Sequence, residues 1–346
     1  MMQRVLSFGE LLLRICPDTG GEWLQKNELS FYVGGAEANV ATALATWGIP
    51  SAYFTALPEN LMSRQVTGYL EQRKIDTSRI LYQGERLGLY FLPQGKDLKN
   101  AGVIYDRAHS SFAELQPGSI DWDAVLEGVS WLHFSAICPA LNSRVAGICE
   151  EVLQAAAAKN ITISLDLNYR PKLWQYGATP VSVMPGLAKY CDVIMGNLWA
   201  ADKMLGIPVD RAISEGSKSE DYRREDYLRH ADRTSEKIKE LFPKAGIVAN
   251  TFRFDKGAGG IQYYTTLWSD KKLYQSTEYA ADKIVDKVGS GDCFMAGLIY
   301  GRYKGLPLQE TLEFATAAAF LKLFITSDAT DQKVDEIEKF IQTYER

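Results

Sequence analysis

Asp286-Lys287-Val288-Gly289-Ser290-Gly291-Asp292, running on into Cys293-Phe294-Met295-Ala296-Gly297-Leu298-Ile299-Tyr300, is the stretch on which the fold of this chain turns. Two glycines bracket a serine, an aspartate follows, and the residues after it read as the first turns of a helix. Backbone N–H groups at a helix N-terminus lack intrahelical acceptors and carry partial positive charge, and a glycine turn lets an anion come close to them. A carboxylate beside such a site can take the proton of an attacking hydroxyl. The pair suggests phosphoryl transfer. An aspartate capping a helix after a glycine turn has the same sequence and needs no ligand. On this segment alone that plainer account is the better one.

The bounds are those of an ordinary globular protein. The chain has 346 residues, 46% of them hydrophobic and 23% charged, enough for a large core in one α/β domain with an appendage or in two domains. A net charge of -5 argues against a nucleic-acid-binding surface but allows a local basic pocket for a small anion. The N-terminal run Met1–Asp18 has one early arginine, an apolar stretch broken by Glu10 and no small-residue cleavage site, so no signal peptide is expected. Ala315–Ile325 carries Lys322 and is too short to span a bilayer. Five scattered cysteines without a C-x-x-C pair suggest core thiols and a cytoplasmic location. His109, His133 and His230 are far apart, which argues against zinc.

Outward from the opening stretch, strands and helices alternate. β-rich runs at Arg4–Phe8, Ala52–Ala56, Trp131–Phe134, Thr162–Leu165, Val193–Met195 and Gly246–Ala249 are mostly followed by helical patterns, at Ala36–Trp47, Ser63–Arg73, Ser143–Lys159, Trp199–Leu205 and Asp292–Tyr303. Repeated strand–helix units predict a mostly parallel sheet covered on both faces. Residues 306–345 read as helical with a polar break near Ser327–Gln332. Leu11–Cys16, Leu29–Val33, Leu87–Pro93 and Gly102–Tyr105 break the rhythm and predict a small separate sheet, a lid drawn from about 11–33 and 87–106. The charge-dense segment 211–240 is expected to be a surface insertion, partly helical.

Familiar nucleotide motifs are missing. There is no G-x-x-x-x-G-K-[ST], and Gly257-Ala-Gly-Gly260 lacks dinucleotide spacing, which argues against a dehydrogenase. A second glycine device is present instead: Tyr32-Val-Gly34-Gly35-Ala36-Glu37-Ala38-Asn39 joins a strand to an Ala-rich helix. Glycines without Cβ let a ligand touch backbone. Close helix packing would account for the small residues, but not for the Gly-Gly-x-x-x-Asn spacing.

The two devices together resemble the signatures of the PfkB/ribokinase family of carbohydrate kinases: Gly34-Gly35-Ala36-Glu37-Ala38-Asn39 its N-terminal one and Asp286–Asp292 its C-terminal one. The resemblance runs from Phe8-Gly9-Glu10 to the C-terminal helices and implies one ribokinase-like three-layer α/β domain with a β lid. Within the family the chain is most similar to 2-keto-3-deoxygluconate kinases, through Phe8-Gly-Glu10, Tyr105-Asp106-Arg107-Ala108 and Asp166-Leu-Asn168-Tyr-Arg170-Pro-Lys-Leu-Trp174. This implies an ATP- and Mg²⁺-dependent kinase of the C6 hydroxyl of a sugar acid. Gly34, Gly35, Ala36, Asn39 and the lid Tyr90 would line the sugar site. Tyr105, Arg107 and Arg170 would face the acid; a guanidinium fork suits a carboxylate, although surface ion pairing would also explain either arginine. Asp292 would be the base, and the N–H groups of Gly289, Ser290 and Gly291 would hold the transferred phosphoryl. Asn168, Asn197, Thr251 and Arg253 would serve the nucleotide.

Three departures stand out. The family's Asn-x-x-Glu is here Asn197-Leu-Trp-Ala200, without the Glu; its Lys before a Gly-rich run is replaced by Val248-Ala-Asn-Thr251-Phe-Arg253; and Thr316 stands where Asn is frequent. Related fructokinases carry similar segments, so a neutral ketose is an alternative substrate. A sugar-acid-binding protein without transfer activity is the rival from another class, favoured by Ala200 and disfavoured by the intact Gly289–Asp292. The exposed edges expected of a lid sheet suggest a homo-oligomer.

Overall fold

The computed structural model describes residues 3–17, 23, 27–93, 102–209, 223–257 and 259–344. The chain runs β1 (Arg4–Phe8), β2 (Leu12–Cys16), β3 (Ser30–Gly34), α1 (Ala36–Thr46), β4 (Ser51–Phe54), β5 (Ala56–Leu57), α2 (Leu61–Gln72), β6 (Ile75–Asp76), β7 (Leu81–Tyr82), β8 (Gly88–Phe91) and β9 (Ile104–Asp106). It continues with α3 (Trp122–Val125), β10 (Val129–Ser135), α4 (Ser143–Ala158), β11 (Thr162–Asp166), α5 (Pro180–Ala188), β12 (Val193–Gly196), α6 (Leu198–Leu205) and α7 (Arg224–Leu241). β13 (Ile247–Lys256), β14 (Gly260–Ser269), β15 (Lys272–Gln275), β16 (Tyr279–Ala281), α8 (Ser290–Lys304), α9 (Leu308–Lys322) and α10 (Val334–Tyr344) complete it.

The large sheet has the order β15-β14-β13-β12-β11-β10-β1-β4-β6, with β16 beside β14. From β6 to β13 every neighbouring pair is parallel; β14, β15 and β16 are antiparallel. Its central strands are buried on both faces, because each alternates side chains between two cores. On one side Leu6, Phe8, Leu132 and Phe134 meet Val145, Ile148 and Val152 of α4. On the other, Val5 and Trp131 pack with Val40 and Leu44 of α1 and Phe294 and Leu298 of α8. That is the expected ribokinase-like sandwich. No helix among the described residues is long and apolar enough to cross a membrane.

The irregular early strands form a separate sheet of order β3-β2-β8-β9, in which only β2 and β8 run parallel. This sheet is the lid. Tyr90 of β8 stands opposite Tyr105 of β9, so both rings share one face.

Two expectations change. Of the charged segment 211–240, residues 211–222 lie outside the described residues. The rest forms α7, whose Tyr227 and Ala231 are buried with Phe252 and Tyr264; its apolar stripe belongs to the core, where a surface insertion was expected. The strand expected at Gly246–Ala249 continues to Lys256 and turns back through the glycines at 257–260 into β14.

Candidate active site

The parallel strands β11 and β12 lead to the site at their C-terminal ends, through Asp166 and Gly196, while the lid strands β8 and β9 present Tyr90 and Tyr105 from within the strand. There a cavity of about 560 Å³ opens between the large sheet and the lid. It is lined by all the sequence-derived site residues except Gly34. Gly34 sits just behind, where a Cβ would come within 2.8 Å of an Asp328 carboxylate oxygen.

One wall is the start of α8. Gly289 takes the N-cap position with φ 79°, and no side chain caps the helix. A Cβ at Gly289 would lie 1.8 Å from the Asp328 carbonyl oxygen, so only glycine fits. Gly289, Ser290 and Gly291 line the cavity, and among the described residues no side chain caps their N–H groups, as an anion site requires.

Asp292 lies one turn in and is 8% exposed. Asn39 of α1 donates its amide N–H to Asp292 Oδ2 at 2.7 Å. Burial pushes the Asp292 carboxyl up to about 8; the Asn39 bond pulls it down, the Asp166 and Glu37 carboxylates push it up, and Arg170 pulls it down. A carboxylate poised near neutrality, held through one oxygen by Asn39 at the cavity wall, is suited to receive a hydroxyl proton.

The sugar end lies between α1 and the lid. Gly35, with φ 131°, lies so close to Glu10 that a Cβ would be 2.6 Å from its carbonyl oxygen. Tyr90 is buried and donates its hydroxyl to Asp328 Oδ2 at 2.6 Å. Arg107 lines the cavity, but its fork is not free for a substrate acid. Nε and Nη2 both bind Glu10 Oε2, at 2.6 and 2.5 Å. In so dry a place a lone guanidinium would be costly, and Glu10 neutralises it. Arg170, on the loop after β11, is only half-buried, donates to the Tyr169 carbonyl at 3.2 Å and makes no ion pair among the described residues.

The far end gathers Asn168, Asn197, Thr251 and Arg253. Asn197 follows β12 directly and caps α6, its Oδ1 accepting from the Ala200 N–H at 2.8 Å. Asn168 leans on Asp166, donating from its backbone at 3.0 Å and its amide at 3.3 Å. Arg253 Nη1 reaches the Lys287 carbonyl at 3.5 Å, and Lys287 pairs with Asp255 at 2.6 Å. Thr316 takes no part: it is fully buried and hydrogen-bonds Thr265 and the Leu312 carbonyl, each at 2.6 Å. The structure adds Glu10, Glu37 and Asp166, three buried carboxyls at the cavity wall. Each stands in a segment singled out by its motif; the sequence offered Asp166 only as a fallback for the metal contact missing at Ala200, and because acidic residues beside glycines also occur on solvated turns it assigned Glu10 and Glu37 no role. Glu37 accepts the Ser135 N–H at 2.9 Å and is pushed above the usual carboxylate range by burial.

The sequence pattern of the pfkB family carbohydrate kinases matches residues 2–333. The chain is 26% identical to a 2-dehydro-3-deoxygalactonokinase of Haloferax volcanii, over 99% of this chain and 98% of that one. It is 27% identical to a 5-dehydro-2-deoxygluconokinase of Geobacillus thermodenitrificans, over 90% of this chain and 84% of the other. Its fold matches the crystal structure of a 2-dehydro-3-deoxygluconokinase of Thermotoga maritima with a TM-score of 0.87 and 34% identity, covering 98% of this chain and 99% of that one.

Proposed function

The chain belongs to the pfkB family of carbohydrate kinases, and from that premise we propose that it transfers the γ-phosphoryl group of ATP to the terminal C6 hydroxyl of a sugar acid, 2-keto-3-deoxy-D-gluconate. The observation that carries the proposal is the pairing of Asp292, held by Asn39, with the uncapped N-terminus of α8 in one cavity. Arg170 supplies a cation for the acid end.

In this mechanism Asp292 accepts the C6 hydroxyl proton as that oxygen bonds to the γ-phosphorus and the bond to the β–γ bridging oxygen breaks, releasing ADP. The N–H groups of Gly289, Ser290 and Gly291 stabilise charge on the phosphoryl oxygens, with no reorganisation needed at the moment of transfer. The lid, through Tyr90 and Tyr105, excludes water from the acceptor and so limits hydrolysis. Among the described residues no group of three or more His, Cys, Asp or Glu forms a metal cage. That suits Mg²⁺, which keeps waters and binds substrate phosphates with few protein carboxylates. Asp166 and Asn197 would meet its hydration shell; when bound, the ion neutralises phosphate charge.

One observation favours a second substrate class. With Arg107 neutralised by Glu10, the sugar end presents, among the described residues, one arginine without an ion pair where two were expected, which would also suit a neutral ketose. A panel of 2-keto-3-deoxygluconate, its galactonate epimer, 5-dehydro-2-deoxygluconate and fructose, each with ATP and Mg²⁺ and assayed for ADP release, separates the two. The expected result is highest kcat/KM for 2-keto-3-deoxygluconate and little turnover of fructose. Preference for fructose would replace the sugar-acid assignment.

A further inference from the structure

Behind the glycine turn lies a group of buried ionisable side chains that the transfer step does not use. Arg14 of β2 is 0% exposed. Its Nη1 donates to Asp328 Oδ1 at 2.8 Å. Its Nη2 lies 2.9 Å from Asp286 Oδ2, a close ion pair without hydrogen-bond alignment. Nε donates to the Leu92 carbonyl just beyond β8 at 3.3 Å, and the guanidinium stands 5.8 Å from the ring centre of Tyr32 on β3. One lid side chain therefore joins three lid strands to two loops of the main body.

Those two loops hold the glycine turn from both sides. Asp286 begins it, its Oδ1 accepting the Val288 N–H at 3.2 Å. Asp328 closes it, its carbonyl oxygen against Gly289 and its Oδ2 taking the Tyr90 hydroxyl. Lys322 completes the group: its Cε would be 3.3 Å from a Gly289 Cβ, and its Nζ donates to the Ile325 carbonyl at 3.3 Å. Two cations thus face two carboxylates in a dry interior. Desolvating each ion costs several kcal/mol, and apolar side chains of similar volume would often pack there at least as stably. The cluster does what apolar packing cannot: it ties named atoms of the lid to named atoms of the turn.

We propose that Arg14 is a positioning residue for phosphoryl transfer, bridging Asp286 and Asp328 so that the Gly289–Gly291 backbone N–H groups are held in place only when β2 of the lid is docked. This rests on the assignment of that backbone as the anion site under the proposed function.

Arg14→Lys keeps the charge but loses the two-armed fork, and Asp328→Asn keeps the shape but loses the charge. For each folded variant, with the best acceptor of the panel above, kcat per folded molecule should fall roughly ten- to a hundredfold, as small misplacements near the chemistry do. For Arg14→Lys the acceptor Kd by calorimetry should stay within about threefold of the native chain, since Arg14 does not line the cavity, and kcat should fall further in Arg14→Leu than in Arg14→Lys. A merely structural Arg14 would lower Tm and leave kcat alone. Native kcat in either folded variant overturns the proposal; failure of both to fold assigns the cluster to stability and also overturns it. The native chain in the same assay keeps the two questions apart: no turnover there counts against the proposed function, whereas native turnover undiminished in the variants counts only against Arg14.

Discussion

At the scale of single residues, the chemistry converges on Asp292. Asp292→Asn should preserve the fold and sugar binding while kcat falls by about two to four powers of ten, the usual worth of a general base. Because burial raises this carboxyl to about 8, kcat/KM of the native enzyme should drop as pH falls below that value, when the base becomes protonated. The pH-rate profile of the free enzyme checks it. Asn39→Ala removes the hydrogen bond that favours the charged form, so the acid limb should move to higher pH; an unmoved limb would mean that Asn39 contacts sugar and leaves the base alone. The two arginines should now behave differently. Arg170→Leu should raise KM for the sugar acid strongly and for fructose little. Arg107→Leu strands the buried Glu10 and should destabilise the protein by about 3–5 kcal/mol, weakening both substrates alike. Thermal unfolding beside the two KM values separates the pair.

At the scale of elements, apolar runs and helical periodicity located β1, β4, β10, β11 and β12, the helices α1, α2, α4 and α6, and the four lid strands. The two-residue strands β6 and β7 and the helices α3 and α5 were not read, the strands being too short to show a period and α5 carrying prolines. Three larger features were not legible. The β13–β14 hairpin hid behind a glycine run that marks a turn without saying which strands it joins. α7 looked solvated because its charges outnumber the few residues that pack inward. The Arg107–Glu10 pair joins two loops far apart in sequence, and nothing in either segment names its partner. The capped start of α6 was legible as a departure: Asn197 is kept and Ala200 replaces an acidic residue. Ala200 does line the cavity and is 5% exposed. Under the proposed mechanism Ala200 leaves one outer contact to the Mg²⁺ water shell unmade, and such contacts contribute about ten- to a hundredfold in metal affinity or activity. The native enzyme should need high free Mg²⁺, and Ala200→Glu should lower that requirement where Trp199 leaves room. Tight Mg²⁺ activation unchanged by the substitution would point to Asp166, which lines the cavity. Asp202 is the weaker candidate, since it pairs with Lys203 at 2.9 Å and does not line the cavity.

At the scale of the whole molecule, the same burial that raises the Asp292 carboxyl, the base of the proposed transfer, weakens the fold as pH rises. A carboxyl raised from its ordinary value to about 8 binds a proton in the folded state that the unfolded chain has already released. Its contribution to stability is complete below the unfolded pKa near 4 and is lost as pH rises through 8. Burial likewise raises Cys191 and Cys293, whose thiols stay protonated in the fold while unfolded thiols ionise above about 8.5, so their loss begins where that of Asp292 ends. His133, lowered to about 3 by burial, acts in the opposite sense, but only below about 6.5, where the unfolded imidazole gains its proton. Between pH 6.5 and 8 the Asp292 effect therefore stands clear of both. The ligand-free protein should lose roughly 1 kcal/mol of stability per pH unit across that window. Asp292→Asn, which cannot ionise, should flatten the slope and unfold at a higher temperature at pH 8. Thermal unfolding of both proteins at half-unit steps of pH measures this directly. A native slope that survives the substitution would place the titrating group elsewhere in the buried carboxyl set, at Glu37 or Asp328, which burial also pushes up. Agreement between this slope and the acid limb of kcat/KM would identify one proton as the limit on both stability and turnover.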